Sequence, residues 1–561
     1  MSTIRRLYFY GVAFVALVIA ANGTAFVLRY LVDLALGRQI FGGAGGQISA
    51  GLAMVLVGAP VWGLHWALAQ GQVARQPLEA GAVLRKLYIF GVMFVAALIG
   101  FLAVRSLLRW ALDLDAFSSI WLAQLLVWGV AWAFHWAQER REGQPSPGAR
   151  TVRRWYVYLT SAYSLGTLAI GVAIALSSLL GYAYDSWTGA SLLNARDTLW
   201  TPAVRSAFAS VLGGTAWWTF HWLYLARGDT ESTLRQVYLF LYAFLGGAVV
   251  VLTATANLLY TFLQWLLGDP DASPAAPHFR SVTQTLPVLL VGAGLLAYHW
   301  AVVKEEAERR QAGTGRRMGA QRSFGYIMAA LGLASLVAGA SLLLGLLIGF
   351  VVGAQERLTE PDAWRGALAL ALTFLVIGGP LWLYVWARVQ RRAQAGGVEE
   401  RIALPRRIFI YATLGILALI ALGTLTGLLA ILLRSLLEGH LTLDFLREDG
   451  RWLLGTALTV GAFLPYYWQV LREDQRAGAE VATGRREVTL IVSEQAIDLA
   501  ERLEEALGTR PRVLRVTAPL ETIPPIGPEE LQTLVQRVRE APPGPVLLVA
   551  LDGVVRVYTY R

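Results

Sequence analysis

The chain has 561 residues, 56% of them hydrophobic and 15% charged, with a mean hydropathy of +0.51 and a net charge of +10. A soluble domain carries about 25% charged residues, whereas this chain contains runs of about 20 or more uncharged residues, the length that crosses a bilayer. Composition therefore excludes a soluble globular protein, and it assigns the positive charge to loops on one membrane face rather than to nucleic-acid binding. Cysteine is absent, which removes disulfides, thiolate nucleophiles, iron–sulfur clusters and cysteine-ligated zinc.

The first 25 residues, MSTIRRLYFYGVAFVALVIAANGTA, have the basic start and apolar middle of a signal peptide. The same pattern returns deep in the chain, so it reads instead as the start of a repeat. An opening signature Arg-x-x-(Tyr/Phe)-x-aromatic begins at Arg5, Arg85, Arg153 and Arg235, in blurred form at Arg322, and again at Arg406. Each signature opens a long apolar stretch. A short polar loop follows, then a second stretch that ends at a tryptophan: Trp66, Trp136, Trp222, Trp300, Trp386 and Trp468. The predicted fold is an all-α polytopic membrane protein of six tandem helical hairpins, about 12 spans. The hairpins occupy 1–75, 76–145, 146–230, 231–312, 313–397 and 398–475, with the second helices ending shortly after their tryptophans. An even number of spans places both termini on one side. The loops on that side are much the richer in arginine, which makes them cytoplasmic in a bacterial inner membrane. Outer-end arginines Arg29, Arg105, Arg109 and Arg434 are expected to snorkel to the interface.

A charged linker is expected at 476–486, followed by a cytoplasmic α/β module at 487–561. Its order reads strand, helix, strand, helix, then a hairpin turning at Asp552-Gly553. Ser493 is the expected cap and Gly508 the expected stop of its first helix. Glu494, Asp498 and Glu501 read as a solvated helix face. The module contains no phosphate-binding loop, no histidine and no cysteine, so a protein partner is expected for it rather than a substrate.

Four of the six histidines, His65, His135, His221 and His299, directly precede a repeat tryptophan. Hairpin geometry brings the opening tyrosines Tyr8, Tyr88, Tyr156 and Tyr238 to the same level. Repeats five and six lose both partners together, with Gly325 and Phe409 at the tyrosine position and Val385 and Tyr467 at the histidine position. The reading is a structural Tyr–His corner in which a phenol donates to an imidazole. Haem ligation by paired histidines and a ligand site are the alternatives. The six tryptophans read as interfacial anchors. The inner parts of the spans carry no Asp, Glu or Lys, and no hydrolase, metalloprotease or nucleotide-binding motif occurs. We therefore expect no catalysis and no cofactor.

The Arg-x-x-Tyr openers and His-Trp closers, over roughly residues 1 to 470, resemble an uncharacterised bacterial membrane-protein family, a domain of unknown function repeated in tandem. That resemblance implies no residue roles. The expected activity is that of a membrane scaffold or sensor coupled to the cytoplasmic module, in contact with the lipid bilayer. A channel or facilitator for a small solute or lipid, and a haem-binding redox protein, are the other two classes.

Overall fold

A helix that is apolar on every side must be covered by protein or lipid, and most of this chain forms such helices. The structure is a computed structural model. It describes residues 2–38, 44–144, 146–189, 199–230, 232–268, 274–308, 315–353, 363–396, 400–438, 444–447, 449–484, 488–492, 497–507, 511–515, 527–541, 545–551 and 554–559.

Among the described residues the long helices are, in chain order, α1 Thr3–Ala35, α2 Ala44–Arg75, α3 Val83–Ala111 and α4 Ser119–Glu142. Next come α5 Pro147–Thr188, α6 Pro202–Trp218, α7 Thr233–Leu267 and α8 Val282–Glu308. The last four are α9 Gly315–Val351, α10 Ala363–Ala395, α11 Leu404–Leu437 and α12 Gly450–Gly484. Several begin on side-chain caps. Ser2, Ser146, Thr201 and Ser232 each accept a hydrogen bond from the amide three residues on, and Pro147 and Pro202 occupy the first helical position, where no amide donor is needed.

Ten described helices are long and apolar enough to cross a membrane, so the protein is a multi-pass membrane protein. Twelve spans were expected, and α6 and α12 are not among the ten. Regular α-winding in α6 stops after 17 residues and widens into a π-helical segment, Thr219–Leu225. Helix α12 mixes Arg451, Thr456, Thr459, Pro465 and two tyrosines into its first five turns.

Two compact units are distinguished, Met1–Val385 with Gly427–Thr456, and Trp386–Thr426 with Ala457–Arg561. In the first unit consecutive helices pack as hairpins, α1 on α2, α3 on α4, α5 on α6 and α7 on α8. Hairpins then associate in twos, because α4 also packs on α1, and α8 on α5. A third instance joins α9 to α12, where Gly345 and Gly455 meet backbone to backbone. Small residues make these approaches close. A Cβ on Gly58 of α2 would lie 2.7 Å from the Ala20 nitrogen of α1, and one on Gly214 of α6 would lie 2.8 Å from the Leu168 nitrogen of α5.

Helices α2, α4, α8 and α10 run on to Arg75, Glu142, Glu308 and Ala395. His65, His135 and His299 therefore lie about two turns or more inside their helices, whereas His221 lies about one turn from the end of its π-helical segment at Leu225. Two of the outer-end arginines do not snorkel. Arg105 Nε donates to Ser210 Oγ (3.2 Å), and Arg109 donates to Ser206 Oγ (2.7 Å) and to Asp115 (2.6 and 2.9 Å), tying α3 to α6. Arg29 and Arg434 pair along their own helices with Asp33 and Glu438.

The second unit contains the C-terminal sheet, β1 Val488–Val492, β2 Arg512–Arg515, β3 Val546–Leu551 and β4 Val554–Thr559, in the order β2-β1-β3-β4. Strand β1 is parallel to β2 and β3, and β4 is antiparallel to β3. Helices α13 Ile497–Leu507 and α14 Pro528–Glu540 cover a core of Leu490, Leu503, Leu534, Val546 and Leu548. Ser493, Glu494, Gly508, Asp552, Gly553 and the Asp498 side chain lie outside the described residues; Glu501 is exposed. The stretch expected as a linker, 476–486, is helical through Gly484 as part of α12; the three alanines, Arg476 and Glu480 of RAGAEVA favour helix despite Gly478.

Between α2 and α3 a short 3₁₀ turn, Pro77–Gly81, buries Glu79. Arg6 donates to both of its carboxylate oxygens (2.5 and 2.7 Å). That fork holds the Glu79 carboxyl below its ordinary value of 4.5. A depressed carboxylate pKa contributes stability that is present above the unfolded value and is lost as pH falls through the folded one. Thermal unfolding in detergent should therefore show the wild type above Glu79→Gln at neutral pH, with the gap closing as pH drops below about 4.5. Separately, Gly58→Val should cost about 1–3 kcal/mol by overpacking the α1–α2 contact, read as a lower unfolding midpoint. Gly11→Val, where an added Cβ meets nothing within 4 Å, should leave the midpoint close to that of the wild type.

Candidate functional site

Arginine keeps its charge when buried, so each buried guanidinium must find acceptors. Arg85, at the start of α3, is fully buried. Its Nε donates to both oxygens of Glu142 (3.1 and 3.0 Å), and Nη2 donates to Glu142 as well. The remaining donors reach Tyr10 Oη (3.2 Å) and Gln70 Oε1 (3.0 Å). The indole of Trp66 lies over the guanidinium, 5.0 Å from its ring centroid. Beside this pair Lys86 Nζ reaches Glu139 (2.5 Å) and Glu142 (3.1 Å).

The arrangement recurs twice. Arg235 donates to Glu306 (2.8 and 2.5 Å) and to the Ala226 carbonyl (3.2 Å), with Trp222 at 4.6 Å. Arg406 donates to both oxygens of Asp474 (2.6 and 3.1 Å) and to Gln390 Oε1 (2.7 Å), with Trp386 at 5.8 Å. The sequence offsets are identical: the acid stands seven positions after His135, His299 or Tyr467, and the Gln70, Ala226 or Gln390 acceptor stands four positions after the tryptophan. In every case the tryptophan comes from an odd-numbered hairpin and the arginine–acid pair from the even-numbered hairpin that follows.

This alternation divides the six anchor tryptophans. Trp66, Trp222 and Trp386 are buried in protein, where each caps an arginine and packs on the next opening ring. Trp66 meets Tyr88 at 5.6 Å, Trp222 stacks on Tyr238 at 4.6 Å, and Trp386 meets Phe409 at 5.3 Å. The indole N–H of Trp222 donates to Tyr298 Oη (2.9 Å), and that of Trp386 to Tyr466 Oη (2.5 Å). By contrast Trp300 and Trp468 are exposed, while Trp136 is half-buried and stacked on Trp132 at 5.2 Å.

The structure places each tyrosine–histidine pair in ring contact, at centroid separations of 5.6 Å (Tyr8–His65), 5.4 Å (Tyr88–His135), 5.3 Å (Tyr156–His221) and 6.0 Å (Tyr238–His299). Two pairs are hydrogen-bonded, Tyr88 Oη to His135 Nε2 at 3.1 Å and Tyr156 Oη to His221 Nε2 at 2.9 Å. In all four histidines Nδ1 lies 2.7–2.8 Å from the carbonyl four residues earlier, so Nδ1 carries the proton and Nε2 accepts. Each bonded phenol also accepts from an indole of the preceding hairpin: Trp62 Nε1 donates to Tyr88 (2.9 Å) and Trp132 Nε1 to Tyr156 (3.0 Å). Trp218 Nε1 donates likewise to Tyr238 (3.3 Å). The polar chain therefore runs indole, phenol, imidazole, carbonyl, each group donating onward. Tyr8, in the first hairpin, is exposed, and among the described residues its contacts are with the rings of Phe9 and His65.

With Nε2 of His135 and of His221 occupied by a phenol, axial ligation at those atoms would require breaking the tyrosine bond. Among the described residues no group of three or more His, Asp or Glu side chains is placed to hold a metal. Sequence reasoning missed the clamp acids, the glutamine acceptors and Trp62, Trp132 and Trp218. Of these, the acids carry a signal that alternates along the chain, seven positions after the closing residue in every second hairpin.

Fold and corners together define a polytopic helical membrane protein built from paired hairpins. The family model described as Domain of unknown function (DUF5671) matches residues 6–130, 154–293 and 322–464, and the chain belongs to this family. Each match spans two hairpins, the same pairing that the arginine corners mark. No curated protein and no solved structure matches the chain.

Removing one partner of a buried ion pair strands the other. Glu306→Leu should therefore lower stability by about 3–5 kcal/mol, and the double replacement Arg235→Met with Glu306→Leu should recover much of that loss. Thermal unfolding of the purified proteins in detergent measures both.

Proposed function

We propose that the protein is a non-enzymatic membrane scaffold or sensor, with six hairpins grouped as three two-hairpin units and both termini cytoplasmic. In this reading the bundle holds the C-terminal α/β module at the inner face for a protein partner. The supporting observation is the clamp itself. Arg85–Glu142, Arg235–Glu306 and Arg406–Asp474 lie toward one end of their helices and satisfy each other. The inner parts of the spans carry no Asp, Glu or Lys, whereas ion-coupled transporters place such groups at mid-depth. The histidines engage neighbouring phenols and helix carbonyls, which fits a structural role.

The chain has no cysteine, so single introduced thiols report topology without background. Arg227→Cys, on the side of the termini, should react with an impermeant maleimide only in inside-out vesicles, and Arg38→Cys, on the far side, only in right-side-out vesicles. The reverse pattern, or labelling of both from one side, would overturn the orientation. The purified protein should be colourless, and its proteoliposomes should be impermeable to small solutes. A Soret band would replace this reading with haem binding, and solute flux with a channel.

A further inference from the structure

On the side of the termini, the end of α4, the start of α5 and the π-helical segment that follows α6 line an open cavity of about 640 Å³, large enough for a small ligand. Arg140, Arg150, Arg153 and Arg154 line it, against two acids, Glu139 and Asp229. Both acids are already engaged. Glu139 accepts from Lys86 (2.5 Å), and Asp229 pairs with Arg154 (3.1 Å) and accepts from Tyr158 (2.9 Å) and Ser232 (2.6 Å). Arg153 donates to the Leu225 carbonyl (3.0 Å), which leaves its charge unbalanced. Among the described residues Arg140 and Arg150 pair with no acid. Moreover, Arg150, Arg153 and Arg154 stand in the first two turns of α5, whose first turn holds no acidic residue. Cations there oppose the helix dipole, which favours an anion at that end. Two unbalanced guanidinium groups at the start of α5, Arg150 and Arg153, with Arg140 from the last turn of α4, form a field suited to phosphate, which arginine binds in a two-pronged fork.

A second space lies further along the same helices. Toward mid-membrane, the same faces of α4 and α6 line a second cleft of about 340 Å³ that is almost wholly apolar. Its floor is Ala96, Ala97 and Gly100 of α3, and its walls include Leu125 and Gly129 of α4 and Trp217 of α6. Phe220 lines this cleft, 5.8 Å from Trp132 of the same cleft and 6.1 Å from Trp136, which lines the upper cavity. A cationic pocket at the membrane surface above an apolar slot in the membrane has the polarity profile of one phospholipid molecule. A soluble phosphate compound would use the upper space and leave the lower one without a role.

We infer that α3, α4, α5 and α6 form a binding site for a single phospholipid with an anionic headgroup. Its phosphate lies on Arg140, Arg150 and Arg153, and an acyl chain fills the cleft beneath Phe220. The site rests on the bilayer reading above and adds a specific lipid ligand to it.

Native mass spectrometry after detergent extraction from vesicles of equal phosphatidylglycerol and phosphatidylcholine tests the site. One phosphatidylglycerol should be retained in preference to phosphatidylcholine. The Arg140→Gln/Arg150→Gln protein should retain at least about tenfold less, the loss of one or two charge-assisted hydrogen bonds, with its unfolding midpoint unchanged in lipid-free detergent. Phe220→Ala should weaken retention of long-chain more than of short-chain phosphatidylglycerol. Equal retention of both lipids overturns the anionic assignment. Displacement of the lipid by millimolar inorganic phosphate, or binding of phosphate alone, overturns the lipid assignment in favour of a soluble anion. A protein that does not partition into membranes at all would contradict the bilayer reading itself. One that inserts but retains no lipid would contradict only this site.

Discussion

A guanidinium removed from water loses several kcal/mol of hydration, and only a matched set of acceptors offsets that loss. Arg85 shows what the matching requires. Its donors go to one carboxylate, one phenol and one amide oxygen, and an indole covers its face. Glu142 stands at the end of α4, Gln70 near the end of α2, and Tyr10 near the start of α1. The group can be satisfied only when these helices are together with α3, so the ion pair selects the four-helix arrangement over a lone hairpin. The aromatic residues follow from the same constraint. An indole beside a buried cation adds attraction without adding a second charge, and the ring it stacks on is held by the hydrogen bonds that cross to the neighbouring hairpin.

Hairpin periodicity and the helical character of the chain were legible in the residues, because spacing and hydropathy are local properties. Strand and helix order in the C-terminal module was legible for the same reason. Pairing of hairpins was not. Opening signatures look alike in odd and even repeats, and the difference lies in partners some 55 to 70 residues away, as in Arg85 with Glu142 and Arg235 with Glu306. Even the choice of arginine alternates. Arg6 and Arg154, two positions before their tyrosines, pair with Glu79 and Asp229, whereas Arg85 and Arg235 stand three positions before theirs. The tyrosine–histidine level was legible from antiparallel geometry, but the indole donors at Trp62 and Trp132 were not, since they come from a different hairpin. The π-helical turns at Thr219–Leu225 and Tyr238–Phe244 were equally hidden; they carry His221, Trp222 and Tyr238, and no residue type marks them.

Among the three corners, Phe409–Tyr467 shows how the same space is filled by different chemistry. Where Tyr88 faces His135, the rings are held by a hydrogen bond. Phe409 has no hydroxyl, and the histidine position is Tyr467, fully buried and packed on Phe409 at 5.9 Å and on Trp386 at 5.3 Å. The tryptophan, the arginine and the acid are retained while the phenol–imidazole bond is not. The arginine–acid pair is thus the element common to all three corners, and the phenol–imidazole bond is a local addition to it.

Because every clamp takes its tryptophan from one hairpin and its charges from the next, the array has a smallest increment of growth. Gain or loss of a single hairpin would strand either an indole without its cation or a buried arginine without its cover. Gain or loss of two leaves every charge matched. Chains assembled on this plan can therefore lengthen or shorten only in steps of four helices.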